Sequence, residues 1–323
     1  MPETRIELAR PFELPRDFKS LVSTYSTIPA RKKYYKIISK NKRFGQYMFT
    51  DTHCHLSMMQ TRGINLADFF KDYYDAEEQG ALLVDIGTEV EDFYERVKIR
   101  EVAQEAVGTS CFLYFSAGIW PAKEDVCNRK DECAVLEKIL KEHAHKDICA
   151  LGECGFDRRE NPVESGKEHL AAEEELFASQ VELAKKYRLP LIVHSRDAFG
   201  ETLGVLKDGS HDKVVIHCFS YDKKAAKAFL DLGCHISFSG TITFGKGVQK
   251  EQNIELLNYI PKDLLLLETD APYLAPMPLR GRTNTPLLIK HTYEFAANSL
   301  GITTDALSKL IKENANKFFT CNF

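Results

Sequence analysis

The feature that most constrains the fold is a rhythm. Eight short apolar runs, each ending in polar residues, alternate with segments of helical periodicity. The runs are MFTDTHCH from Met48, ALLVDIG from Ala81, CFLYFSAGIW from Cys111, ICALGECG from Ile148, PLIVHSR from Pro190, KVVIHCFS from Lys213, HISFSG from His235 and LLLLETDAP from Leu264. Segments such as EHLAAEEELFASQVELAKKYR from Glu168 and YDKKAAKAFLDLG from Tyr221 supply the helices. Strands that are apolar almost throughout belong to a parallel sheet covered on both faces, since alternation appears only where one face meets water. Eight such units in about 275 residues predict an α/β fold, a (β/α)8 TIM barrel. A doubly wound open sheet usually shows a Gly-rich phosphate turn after its first strand, and none is present. The expected organisation is a barrel domain over residues 48–323 behind a basic N-terminal extension over residues 1–47.

In such a barrel the C-terminal strand ends meet at one mouth, so polar groups far apart in sequence converge there. The first run ends in His53 and His55, whose spacing of two puts them on one face of a strand while Cys54 points the other way. The fourth reaches Glu153, the fifth His194, the sixth His217, and the eighth Glu268, Thr269 and Asp270. A lone histidine at a strand end is more often a hydrogen-bonded structural imidazole, and a lone carboxylate more often a helix cap. Six such groups on five strand ends outweigh that reading. Four imidazoles and two carboxylates exceed one tetrahedral zinc site but suit two divalent ions about 3.5–4 Å apart. His53, His55 and Asp270 would hold one, His194 and His217 the other, with Glu153 bridging. Asp270 is positioned to take the proton from an attacking water. Asp270 and Glu153 are therefore the expected catalytic pair.

Together DTHCHL, GECGFD, IVHSRDA, HCFS, SFSGTITF and LLETDAPYLAP resemble the TatD family of metal-dependent deoxyribonucleases, within the amidohydrolase-like barrels, from about Met48 to Phe319. The resemblance implies Mg2+-dependent hydrolysis of DNA phosphodiesters, often as a 3′-exonuclease, at a site of one or two metals. It places the metal positions on His53, His55, Glu153, His194, His217 and Asp270. An imidazole-rich shell suits Zn2+ or Mn2+ better than Mg2+, which favours oxygen ligands. The chain departs from the family at Gly118-Ile119-Trp120-Pro121-Ala122, where relatives usually read G-x-H-P-H; both histidine positions are changed. Trp120 is compatible with stacking on a base or with packing at the barrel rim.

Supporting roles are expected around these groups. Asp51 and Glu268 read as supports, and Asp157 as the partner of a ligand imidazole's second nitrogen. Arg196 suits either a phosphate oxygen or a salt bridge to a carboxylate. Arg280 and Arg282 lie in PLRGRTNTP, suited to attracting a phosphodiester, although Arg280 and Asn284 fit loop bracing equally. Asp197 is expected to N-cap the next helix. Ser239, Gly240 and Thr241 offer small groups and backbone donors.

Charge bounds the partners. Eleven Lys/Arg against four Asp/Glu give residues 1–48 a charge of +7, leaving −11 on the remainder. The barrel therefore cannot hold nucleic acid by bulk electrostatics, and must grip a polyanion locally. The arm ARKKYYKIISKNKRFGQYM from Ala30 fits packing on the barrel bottom, with polynucleotide contact and a nuclear-type basic cluster as alternatives. Nine cysteines without a C-x-x-C pair indicate free thiols in a reducing compartment, cytoplasmic or nuclear. No run is long and apolar enough to span a bilayer. The expected partner is single-stranded DNA or DNA ends. A metal hydrolase of a small amide, ester or lactone is the alternative, and a non-catalytic module leaves the ligand set without purpose.

Overall fold

Each of the eight apolar runs contains one strand: β1 (Asp51–Cys54), β2 (Leu83–Asp85), β3 (Leu113–Ala117), β4 (Ile148–Asp157), β5 (Leu191–Arg196), β6 (Val214–Ile216), β7 (His235–Phe238) and β8 (Leu265–Leu267). The computed structural model describes residues 49–76, 82–108 and 113–319; the extension over residues 1–47, with the expectation that it packs on the barrel, lies outside the described residues. The strands pair in parallel in the order β1 to β8. At the mouth β8 returns to β1, where the Asp270 N–H donates to the His53 carbonyl at 2.9 Å and the His55 N–H to the Ala271 carbonyl at 2.7 Å. The fold is a TIM barrel, as the alternation predicted.

The period of two within each strand decides which side chains enter the barrel. Ile192, Val215 and Leu266 pack inward with Val84 and Ala150, over Phe318 and Phe319 near the C-terminal end of the described chain. Their neighbours Leu191, Val193, Val214, Ile216, Leu265 and Leu267 pack outward against the helical layer. Burying each such side chain contributes roughly 1.5–3 kcal/mol, so the register is strongly fixed. Two residues beyond inward-facing Ile192, Val215 and Leu266 come His194, His217 and Glu268. The apolar register of the core therefore aims the polar groups of the mouth.

The helices follow their sequence signals. Lys167–Tyr187 buries Ala172, Leu176, Phe177, Val181 and Ala184 on one stripe and stops at Arg188 in the left-handed region. Lys223–Leu230 starts where the Asp222 carboxylate accepts from the Ala225 N–H at 2.9 Å. Among the described residues, no helix is long and apolar enough to cross a membrane.

Candidate metal centre

The six predicted groups converge as two clusters that share Glu153. In the first, His53 Nε2 and His55 Nε2 lie 3.2 Å apart. Glu153 Oε2 is 3.3 and 3.7 Å from them, and Asp270 Oδ1 is 3.7 and 3.4 Å. In the second, Glu153 Oε1 is 2.6 Å from His194 Nδ1 and 2.9 Å from His217 Nε2. Those two ring nitrogens are 3.2 Å apart. His53 and His217 stack across the boundary at 4.1 Å between ring centres. Glu153 thus gives one oxygen to each cluster.

The donor set fits divalent metal. His55 Nδ1 lies 3.2 Å from the Ile86 carbonyl; a proton held there leaves the Nε2 lone pair facing the cluster. The His53–His55–Glu153 and Glu153–His194–His217 groups each bring their ligand atoms within 4.8 Å of one another. Electrostatics agree with that. Burial pushes the Glu153 and Asp270 carboxyls up, but the facing imidazoles outweigh it: Glu153 is held well below its ordinary value and Asp270 below its own. Burial, with His217 beside it, lowers the His53 pKa. At His55, His194 and His217 burial is overcome by the carboxylates, which draw positive charge onto the rings. A divalent cation answers the same demand without protonating them.

Around the clusters, Asp157 Oδ2 sits 2.9 Å from His194 Nε2, the nitrogen turned away from Glu153. Glu268 lies 3.4 Å from His217 Nδ1. Its two oxygens accept from the Cys218 N–H at 2.7 Å and the Ser237 hydroxyl at 2.6 Å, which places it as a support. Asp51 accepts from the Thr269 N–H and hydroxyl at 2.9 and 2.6 Å and from the His53 N–H at 3.2 Å. It braces the turn that carries Asp270. Burial raises the Asp51 carboxyl to about 7 against those hydrogen bonds.

The rim residues are placed more loosely. Trp120 is half-buried and meets His194 edge-on at 5.7 Å between ring centres. Arg196, 40% exposed, stands 3.7 Å from Asp157 Oδ2. Exposed Arg280 lies over the Phe244 ring at 4.5 Å, and Arg282 is exposed on the same loop. Asn284 is buried and donates to the Thr269 and Tyr273 carbonyls, so it braces that loop.

Two expectations are corrected. Asp197 does not cap the helix Phe199–Gly209: Ala198 occupies the N-cap, while Asp197, at φ +54°, turns its carboxylate to Arg159 at 3.3 Å. The Thr241 N–H is no open donor, because the Ser239 hydroxyl accepts it at 3.4 Å.

Sequence reasoning missed Asp85, Arg96 and Ser116, a buried group beside the first cluster. Asp85 ends an apolar run as His194 and His217 do, and that signal was present. Also unforeseen was Glu173, fully buried in the helix Lys167–Tyr187, which pairs with Arg158 and accepts from the Asp157 N–H at 3.2 Å.

Comparison with known proteins agrees with this geometry. The family model described as TatD related DNase matches residues 50–320. The chain is 31% identical over 279 residues to the uncharacterized metal-dependent hydrolase YcfH of Escherichia coli K12, covering 83% of this chain and 94% of that one. It is 29% identical over 292 residues to the uncharacterized metal-dependent hydrolase YabD of Bacillus subtilis, covering 85% and 100%. Among solved structures, the TatD homolog YJJV of Escherichia coli K12 superposes with a TM-score of 0.68 at 24% identity, covering 85% of this chain and 99% of that one, and shares the fold.

Proposed function

The chain belongs to the TatD family of metal-dependent hydrolases, and from that premise we propose that it is a deoxyribonuclease, a 3′–5′ exonuclease on single-stranded or frayed DNA ends. The observation that carries the reading is the division of the Glu153 carboxylate between two histidine pairs. It supports a two-ion centre, with His53, His55 and Asp270 on one ion, His194 and His217 on the other, and Glu153 between them. Mg2+ follows from the family; the imidazole-rich set also suits Zn2+ or Mn2+. When bound, such ions lower the pKa of water and stabilise charge on attacking and leaving oxygens.

The chain's own residues supply the rest. Asp270 is ionised and sits at the cluster edge, so its carboxylate can accept the proton of the attacking water. Asp157 holds the His194 ring so that Nδ1 faces the site. Arg196 stands where a guanidinium can take a non-bridging phosphate oxygen. Trp120, half-buried beside His194, offers an aromatic ring on which the terminal base can stack.

The test uses end-labelled single-stranded DNA with Mg2+, Mn2+ or Zn2+. Wild type should release nucleotides from the 3′ end, and Asp270→Asn should lower the rate about 10²–10⁴-fold with folding retained. Absence of turnover with all three ions would rule the nuclease out. Turnover of a small ester or amide in its place would support the alternative substrate class.

A further inference from the structure

Beside the first cluster lies a fully buried cation that the proposed reaction does not use. Arg96 is 1% exposed and follows β2 in the short helix Phe93–Val97. Its Nη1 donates to the Asp85 carboxylate at 2.9 Å and to the Asp85 carbonyl at 3.3 Å. Nη2 donates to the Ser116 carbonyl at 2.6 Å, and Nε to Asp92 at 2.9 Å. One guanidinium thus ties the ends of β2 and β3.

Asp85 and Ser116 each lead directly to a cluster residue. The other Asp85 oxygen accepts from the Leu56 N–H at 2.7 Å, which fixes the backbone just after His55. The Ser116 hydroxyl donates to the Gly152 carbonyl, adjoining Glu153, and accepts from the Gly87 N–H at 3.0 Å. The Gly87 carbonyl accepts the Glu153 N–H at 2.8 Å, and the neighbouring Ile86 carbonyl faces His55 Nδ1 at 3.2 Å. Gly87 has no room for a side chain: a Cβ would fall 2.3 Å from Arg96 Nη2. The guanidinium occupies that space.

We propose that Arg96, gripped by Asp85 and Ser116, is a positioning residue that sets the spacing between His55 and Glu153 and so the hold on the ion at that half of the centre. Burying an arginine is costly unless every donor is matched, and a planar fork that reaches three strand-end groups at once fits that demand. A lysine at the same place would bring a point charge but lose the fork. The inference rests on the metal reading above and is independent of whether DNA is the substrate.

The experiment is a calorimetric Zn2+ titration of the full chain, with the visible spectrum of the Co2+-loaded protein as second readout. Arg96→Lys and Arg96→Met should bind Zn2+ about tenfold or more weakly, within the 10–100-fold range for residues that orient ligands, and should alter the Co2+ spectrum. Arg100→Met is the control. It breaks the Arg100–Asp147 ion pair and a contact to the Leu113 carbonyl at the opposite end of β3, and should leave both readouts unchanged. Should the Arg96 variants fail to fold, Asp85→Asn decides: it keeps an acceptor for the Leu56 N–H but removes the charge that grips Arg96, with an expected loss of about tenfold. Wild-type Zn2+ affinity in the folded variants, or an equal loss in Arg100→Met, overturns the proposal while the metal reading stands. If wild type binds no Zn2+ or Co2+, both fall.

Discussion

His194 is held from both sides: its Nδ1 lies 2.6 Å from Glu153 and its Nε2 2.9 Å from Asp157. The first contact faces the centre and the second faces away. Asp157→Asn keeps the shape of the partner but removes the charge that fixes which nitrogen carries the proton. It should weaken the ion at His194 and His217 about 10–100-fold and leave the fold intact. Zn2+ titration against circular dichroism checks this. Equal affinity in the variant would remove Asp157 from the account.

Ions that bind only the folded centre must stabilise it by mass action. At a free ion concentration one hundred times Kd the gain is about 2.7 kcal/mol. For a domain of this size that corresponds to a melting temperature roughly 4–6 °C higher. Chelator-stripped protein should melt lower by that amount and recover on adding Zn2+ or Mn2+. Identical melting curves with and without chelator would argue against any resident metal.

The barrel was legible from eight apolar runs alternating with helical segments, and the six convergent groups from their places at the ends of those runs, where the period of two sets the face. An inward apolar residue such as Ile192 or Val215 announces that the polar residue two places later, His194 or His217, faces the mouth. Asp157 was legible for the same reason, standing four positions after Glu153 on one strand. Asp197 was misread because a cap depends on where the helix starts and on local φ, and neither is written in the residue type. Arg96 was invisible for a deeper reason. Arginine on a short helix reads as a solvated charge, and only the convergence of Asp85, Ser116 and the bare backbone of Gly87 makes a buried site for it.

Trp120 stands edge-on to His194, where relatives of the resembled family usually carry histidine. Its backbone is fixed: the Trp120 N–H donates to the Thr88 carbonyl at 2.9 Å, and the Gln180 side-chain amide brackets neighbouring Ile119 with two hydrogen bonds. If the ring stacks on a terminal base, Trp120→Ala should lose about 1–3 kcal/mol of binding. KM for single-stranded DNA would rise roughly 5–150-fold, with Zn2+ affinity unchanged. Trp120→Phe should recover most of it. A variant that melts earlier but keeps its KM would instead make Trp120 a packing residue.

His235 begins β7 on the inner face and packs on Phe318 at 4.8 Å between ring centres, with Nδ1 buried and lacking a hydrogen-bond partner. Burial lowers its pKa to about 4; Asp263 opposes the shift and Lys213 adds to it. The unfolded chain takes up the proton near the ordinary 6.5, so between about pH 6.5 and 4 it binds more protons than the folded one. Stability contributed by the neutral ring is complete above pH 6.5 and is lost as pH falls through that window. Between pH 7.5 and pH 5 the loss should be about 1–2 kcal/mol. His235→Gln, which cannot titrate, should lose that much less over the same interval. Urea unfolding of both proteins at the two pH values makes the comparison, and parallel pH profiles would show that His235 is not protonated on unfolding.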